Sequence, residues 1–273
     1  MTTRIFIGDT LVDAVPANDR GLAYGDGVFE TMRVHAGTLP LWPRHRARLL
    51  EGAGRLGLAL PPIDVLEARI HEAITGLDAG VLKLLVTRGS GGRGYAPPAA
   101  PVPTWVLALH LLPSPASSGL RLQWCQTRLA EQPALAGIKH CNRLEQVLAR
   151  VEVEQAGCDE GLMQSTTGEV ICATAANLLV LRGDRWITPA VEACGVAGVC
   201  RGWLLDQGLA DVGTLASNEV ETADVLALCN AVRGILPVSS LGQVDYRQHP
   251  AVARLQVQLA AAFPMFKLHK EVA

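Results

Sequence analysis

Lys139 lies in the stretch Leu135-Ala-Gly-Ile-Lys139-His-Cys-Asn-Arg-Leu-Glu145, after a short apolar turn and just before a helical pattern. From Asn142 onward, Leu144, Val147, Leu148 and Val151 recur at offsets of three, four and seven. This predicts one apolar helical face, with Asn142 as N-cap and Gly157 as stop. A lysine on a loop pinned by a rigid element is well held for reaction. Its amine can form a Schiff base with a carbonyl compound or with pyridoxal phosphate. An ordinary surface lysine beside a basic loop has the same spacing.

Three other features bear on that choice. Gly195-Val-Ala-Gly-Val-Cys-Arg201 enters a helix with free amides at its start near Gly198 and Val199, which suits a phosphate. Cys229-Asn230-Ala231 closes an apolar strand with a small polar residue, a second place for amides to meet an anion. Arg48 lies three residues from His45 and shares its helical face, so it can add a charged clamp. Taken singly, these are equally a glycine-bearing turn, a strand end and a solvated arginine. Taken with Lys139, they supply a Schiff-base partner and a phosphate cup, which is what pyridoxal phosphate requires.

Rival chemistry has little support. No clustered His, Cys, Asp or Glu has metal-ligand spacing, so no metal is expected. A Gly-x-Ser-x-Gly elbow is lacking. The loop Arg88-Gly-Ser-Gly-Gly-Arg-Gly-Tyr95 is glycine-rich but has neither nucleotide-loop spacing. Seven scattered cysteines offer no preferred nucleophile and read as reduced thiols.

The positioning elements are legible in outline. Arg4–Ile7 and Thr10–Val12 read as a hairpin, residues 28–34 as a strand, and 43–56 and 63–74 as helices. Residues 81–87 and 104–112 read as strands, and Pro113–Gly119 as a linker. The second half mixes strands at 120–126, 177–182, 185–188, 225–229 and 236–240 with helices at 198–208 and 251–263. The reading is α/β (α+β) in two domains, 1–112 and 120–273. Hydrophobic residues are 49% and charged residues 18%, enough for a large interior. A net charge of -2 without a basic block argues against nucleic acid, and no apolar run is long enough to span a membrane. A soluble cytoplasmic protein is expected.

The chain resembles the fold-type IV pyridoxal-phosphate enzymes, which include the branched-chain and D-amino-acid aminotransferases. The similarity runs from Asp19-Arg-Gly and Tyr24-Gly-Asp-Gly-Val-Phe-Glu30 to Asn230-Ala-Val, and its class-wide elements are His45-x-x-Arg48-Leu, Lys139, Ala176-Asn-Leu178 and Gly195-Val-x-Gly-x-x-Arg201. Thr87 to Tyr95 and Leu135 to Val147 are similar to the aminodeoxychorismate lyases in particular. The resemblance implies a smaller N-terminal α/β domain and a larger C-terminal domain with a barrel-like sheet, which binds the cofactor and carries Lys139. It also implies a homodimer. Lys139 would be the catalytic Schiff-base lysine. Arg48, Gly198, Val199, Asn230 and Ala231 would hold the cofactor phosphate. Arg93 would take a substrate carboxylate, with Tyr95, Asn142, Phe29 and Thr31 nearby. The implied reaction converts 4-amino-4-deoxychorismate to 4-aminobenzoate and pyruvate. An aminotransferase of the same fold and a non-catalytic cofactor-binding paralogue are the alternatives.

One departure stands out. The family places a glutamate five residues before the Asn of Ala-Asn-Leu, against the pyridine nitrogen. Here Cys172 occupies that position, with Glu169 three residues earlier. A neutral thiol cannot keep the ring nitrogen protonated as a carboxylate does. That argues against transamination more than against a lyase, whose product becomes aromatic.

Overall fold

Strict alternation along one strand sets up the site. In β3 (Gly27–His35), Val28, Glu30, Met32 and Val34 are buried while Phe29, Thr31 and Arg33 are half-buried, as the two-residue period of a pleat requires. The computed structural model describes residues 2–114 and 119–267, so residues 115–118 of the expected linker lie outside the described residues. Two compact units result: Met1–Pro113 with Ile138–Asn142, and Ser114–Gly137 with Arg143–Ala273.

The first unit opens with the hairpin β1 (Thr3–Ile7) and β2 (Thr10–Val12), then a short helix α1 (Arg20–Tyr24) before β3. Two helices, α2 (Trp42–Leu56) and α3 (Ile63–Ile74), precede β4 (Ala79–Thr87) and β5 (Thr104–His110). The five strands form an antiparallel sheet in the order β2-β1-β5-β4-β3. Pro43 suits the first turn of α2, and Gly57 (φ 58°) ends it by donating its N–H to the Ala53 and Gly54 carbonyls. The core gathers Leu49, Leu66, Leu82, Leu84 and Trp105, and also takes in Ile138.

Lys139 therefore sits in the first unit, not in the C-terminal domain expected for it. The reason is hydrogen bonding across a long sequence separation. The Phe29 N–H donates to the Lys139 carbonyl and the Cys141 N–H to the Gly27 carbonyl, each at 2.9 Å. The segment Ile138–Asn142 is thus carried by β3.

The second unit runs β6 (Leu120–Trp124), α4 (Leu144–Gln155), β7 (Glu160–Gln164), β8 (Val170–Ala173), β9 (Asn177–Arg182) and β10 (Arg185–Pro189). It continues through α5 (Val199–Asp206), β11 (Asp211–Gly213), α6 (Ser217–Glu221), β12 (Val225–Asn230), β13 (Gly234–Leu241), β14 (Val244–Asp245) and α7 (Pro250–Ala262). Nine strands form one sheet along the path β11-β10-β9-β12-β13-β6-β7-β8, with β14 on β13. It curls into a half-barrel, β8 coming back against β9 and β10. Leu178–Leu181 and Val225–Cys229 are continuous apolar runs because they are buried on both faces.

Two expectations about α4 are overturned. Arg143, not Asn142, precedes the helix, and no side chain caps it. The apolar stripe faces outward: Leu144, Val147, Leu148 and Val151 are 77%, 55%, 58% and 46% exposed. Ala149 and Val153 are the buried residues, because the sheet approaches closely. A Cβ on Gly161 of β7 would lie 2.6 Å from Val153 Cγ2, so only small residues fit beneath the helix.

Candidate active site

Within the first unit, the lysine segment is fixed on both sides of Lys139. Ile138 is buried in the core against Val28 and Gly52, where an added Cβ would stand 3.0 Å from Ile138 Cγ2. Val28 and His140 form an antiparallel bridge. Lys139 itself is half-buried, its Nζ 4.3 Å from the centroid of the Phe29 ring. Such a ring face attracts an ammonium and supplies an apolar wall. Phe29 and Thr31 lie on this face of β3, and the Phe29 ring stands against the lysine.

Glu30 lies on the opposite face of the strand, where α2 covers it. Its carboxylate accepts from His45 Nδ1 at 2.6 Å and from Arg48 Nε at 2.8 Å, and Arg48 Nη2 also donates to it. Burial pushes the Glu30 carboxyl up, but Arg48 and then His45 outweigh it and hold the group at about 2. Burial lowers the His45 pKa despite Glu30, with Arg48 and Lys139 adding to the lowering. His45 is thus a neutral imidazole donating through Nδ1. Its Nε2 is buried with no partner among the described residues. Residue spacing had joined His45 to Arg48 but gave Glu30 no role. The available signal was an acid on the buried side of an alternating strand.

The second unit leaves backbone amides uncapped at a helix start. Gly198 is the N-cap of α5, with no side-chain cap on the first-turn amides. Asn177 Nδ2 donates to the Val196 carbonyl at 3.0 Å, drawing the loop onto β9. A Cβ at Gly198 would fall 1.8 Å from Asn177 Oδ1, so only glycine allows this approach. Cys229 pairs with Asn177, which brings Asn230 to the same edge. There Asn230 Oδ1 accepts from the Val232 and Arg233 amides at 3.0 and 2.8 Å. Gly198, Val199, Asn230 and Ala231 are therefore gathered by two neighbouring strands. Arg201 is a structural pin, donating to Thr188 Oγ1 and the Pro189 carbonyl at 3.2 and 2.9 Å.

Cys172 is buried among Cys125, Leu129, Val153, Met163 and Cys194. Burial, then the Cys194 thiol, push it up to about 12, so it is a neutral thiol. Glu169 is exposed in the turn before β8. Glu160, overlooked in the sequence, is buried and accepts from the Gly161 and Thr174 amides at 3.0 and 3.2 Å, and from Thr174 Oγ1. It props the turn that leads into Asn177.

The remaining candidates belong to the first unit. Arg93 and Tyr95 are exposed in the glycine-rich loop between β4 and β5. Asn142 locks a turn: its Nδ2 donates to the Gly25 carbonyl at 3.1 Å, and Gly25 (φ 65°) leaves room for it.

Within the first unit, a lysine pinned by backbone suits an aldehyde and lies in the same unit as a buried Arg–Glu–His network; within the second, the glycine-gated amides suit a phosphate. Residues 27–241 match the amino-transferase class IV family. The chain belongs to that family. Class IV enzymes depend on pyridoxal phosphate, and the residues here fit it. Aminodeoxychorismate lyase from Vibrio harveyi is 32% identical over 90% of this chain and 95% of its own. The crystal structure of 4-amino-4-deoxychorismate lyase from Pseudomonas aeruginosa superposes with a TM-score of 0.88. It is 41% identical and covers 95% of this chain and 99% of its own. The branched-chain amino acid aminotransferase of Escherichia coli shares the fold, with a TM-score of 0.83 at 21% identity. It covers 100% of this chain and 98% of its own.

Proposed function

We propose that this protein is a pyridoxal-phosphate-dependent lyase that cleaves 4-amino-4-deoxychorismate to 4-aminobenzoate and pyruvate. The observation that carries the reading is Lys139, held by backbone on both sides with its amine over Phe29. The 41% identity to the Pseudomonas lyase across nearly the whole chain supports it. Bound pyridoxal phosphate supplies the electron withdrawal that acidifies the carbon bearing the substrate's nitrogen.

Lys139 is the base that takes the proton from that carbon and the acid that returns it to the methylene of the departing enolpyruvate. Arg48 and the amides at Gly198–Val199 and Asn230–Ala231 anchor the phosphate, with Glu30 fixing the plane of the Arg48 guanidinium. Arg93 meets a substrate carboxylate. Cys172, a neutral thiol in the position of the family's glutamate, gives the ring nitrogen no counter-charge. That favours an elimination driven by aromatisation over a transaminase.

The exposed stripe of α4 supports a homodimer, with a second copy of the chain covering Leu144, Val147, Leu148 and Val151. The cytoplasm is the proposed location. Among the described residues no helix is long and apolar enough to cross a membrane.

The test is turnover of enzymatically made aminodeoxychorismate by cofactor-loaded protein, reading 4-aminobenzoate and pyruvate together. Equimolar products from the parent and none from Lys139→Ala are expected. A parent that binds cofactor and yields neither product would sink the lyase reading.

A further inference from the structure

The Asp19-Arg20-Gly21 and Gly25-Asp26-Gly27 motifs hold the lysine segment through Gly25 and Gly27, Asp19 caps α1 and binds Thr87, and the side chains of Arg20 and Asp26 are spent on the glycine-rich loop. Arg20, 5% exposed, spreads its guanidinium over three successive carbonyls of that loop. Nη1 donates to Gly94 and Ala96 at 3.2 Å each, and Nη2 to Tyr95 at 2.8 Å. Its Nε donates to Asp26 Oδ2 at 2.8 Å. Arg88, at the opposite end of the loop, shares the same carboxylate through Nε at 2.7 Å and Nη2 at 3.1 Å. Arg88 also ties the C-terminus of α2, donating to the Leu56 and Gly57 carbonyls at 2.8 and 2.6 Å.

Backbone bonds complete the closure. The Arg20 N–H donates to the Gly89 carbonyl at 2.9 Å, and the Gly91 N–H to the Asn18 carbonyl at 3.1 Å. Gly91 packs on the Arg20 stem, where an added Cβ would lie 2.8 Å from Cδ. The Tyr24 ring, under the Arg20 guanidinium at 5.0 Å, meets the Tyr95 ring at 5.4 Å. One carboxylate thus joins two arginines that grip the loop at both ends, and Arg93 projects between the grips. An exposed glycine-rich loop is otherwise free to sample many conformations.

We propose that Arg20, joined to Arg88 through Asp26, is a positioning residue that fixes the loop presenting Arg93 to a carboxylate of the substrate. This rests on the lyase reading for the identity of the substrate. The latch itself rests on the contacts above. A lysine could not replace Arg20, since one ammonium cannot span four acceptors with the planar fork of a guanidinium.

Steady-state kinetics on full-length, cofactor-loaded parent, Arg20→Lys, Arg93→Ala and the double variant test this, with tryptic cleavage after Arg93 followed by mass spectrometry. Arg20→Lys is expected to raise KM about tenfold with kcat nearly unchanged, as loss of uniform carboxylate binding does. In the Arg93→Ala background it should add nothing to KM. Cleavage after Arg93 should quicken about tenfold as the loop opens. Gly91→Ala keeps every charge while displacing the Arg20 stem, and should reproduce the KM rise if Arg20→Lys fails to fold. Additive KM effects, or an unchanged cleavage rate, overturn the proposal. If the parent makes no product, the lyase reading falls, and the cleavage rates alone decide whether Arg20 holds the loop.

Discussion

His45 Nδ1 and Glu30 Oε2 lie 2.6 Å apart with both side chains only 1% exposed. A carboxylate so deep is tolerated because Arg48 and His45 satisfy it together, and each cationic or polar partner is in turn left stranded without it. Glu30→Gln preserves shape but leaves the Arg48 charge uncompensated. The expected cost is about 3–5 kcal/mol of folding free energy, read by urea denaturation. A loss under about 1 kcal/mol would show that Arg48 finds another partner or reaches water.

The same pair makes the fold sensitive to acid. Glu30 is held at about 2 against an ordinary 4.5, and His45 lies below its ordinary 6.5. Both folded-state values are depressed, so both stabilising contributions are present above the unfolded values and are lost as pH falls. The histidine contribution starts to go below 6.5, and the glutamate contribution between 4.5 and about 2. A drop of that size in a fully buried carboxyl corresponds to about 3 kcal/mol. Stability measured from pH 7 to 5 should fall in the parent and stay flatter in His45→Asn, which keeps a donor near the Nδ1 position. Parallel curves would assign the acid sensitivity to other groups.

Sequence periodicity found the longer helices and most strands, though not the five-residue α1 and α6, because a face repeating every 3.6 or 2 residues is a local property. It could not say what covers a face. The Leu144, Val147, Leu148 and Val151 stripe is real, yet the sheet of its own unit takes Ala149 and Val153 instead. The strands β7 and β8 were missed because Glu160–Gln164 and Val170–Ala173 are buried on both sides and show no alternation. Lys139 was found from its neighbours, whereas its attachment to β3 depends on pairing with residues more than a hundred positions away. A separation of 74 to 76 positions likewise hid the grip of Arg20 on residues 94–96.

Gly198 should be irreplaceable for cofactor binding. Alanine there would place its Cβ 1.8 Å from Asn177 Oδ1, forcing the α5 entry off β9. Losing aligned amides to an anion is worth about 1.5–3 kcal/mol, so affinity for pyridoxal phosphate should fall at least about tenfold in an absorbance titration. Gly54→Ala, with no atom within 4 Å of its new Cβ, is the control and should leave affinity unchanged. Equal affinities for both variants would remove the α5 terminus from the cofactor site.

Cys172 should be chemically silent. Its thiol is 7% exposed and pushed up to about 12, so almost no thiolate exists at neutral pH. Cys172→Ala should keep kcat within about threefold, and the parent should resist iodoacetamide at this residue by mass spectrometry. Cys172→Glu would place a carboxylate beside Leu129, Val153 and Met163, and should destabilise the cofactor-free protein by about 2 kcal/mol or more. A large loss of kcat in the alanine variant would give the thiol a direct part in the reaction.

The α4 stripe should report the association state. Leu144, Val147, Leu148 and Val151 occupy one helical face and are roughly half to three-quarters exposed, an arrangement that water disfavours. Burying each against a second copy would contribute about 1.5–3 kcal/mol at most, enough for the set to govern a dimer. Leu148→Glu should therefore shift sedimentation from dimer toward monomer, leaving urea stability of the separated chain nearly intact because the residue supports no internal core. Leu148→Met, similar in volume and still apolar, should remain dimeric. A Leu148→Glu protein that sediments as the parent does would place the interface elsewhere on the chain.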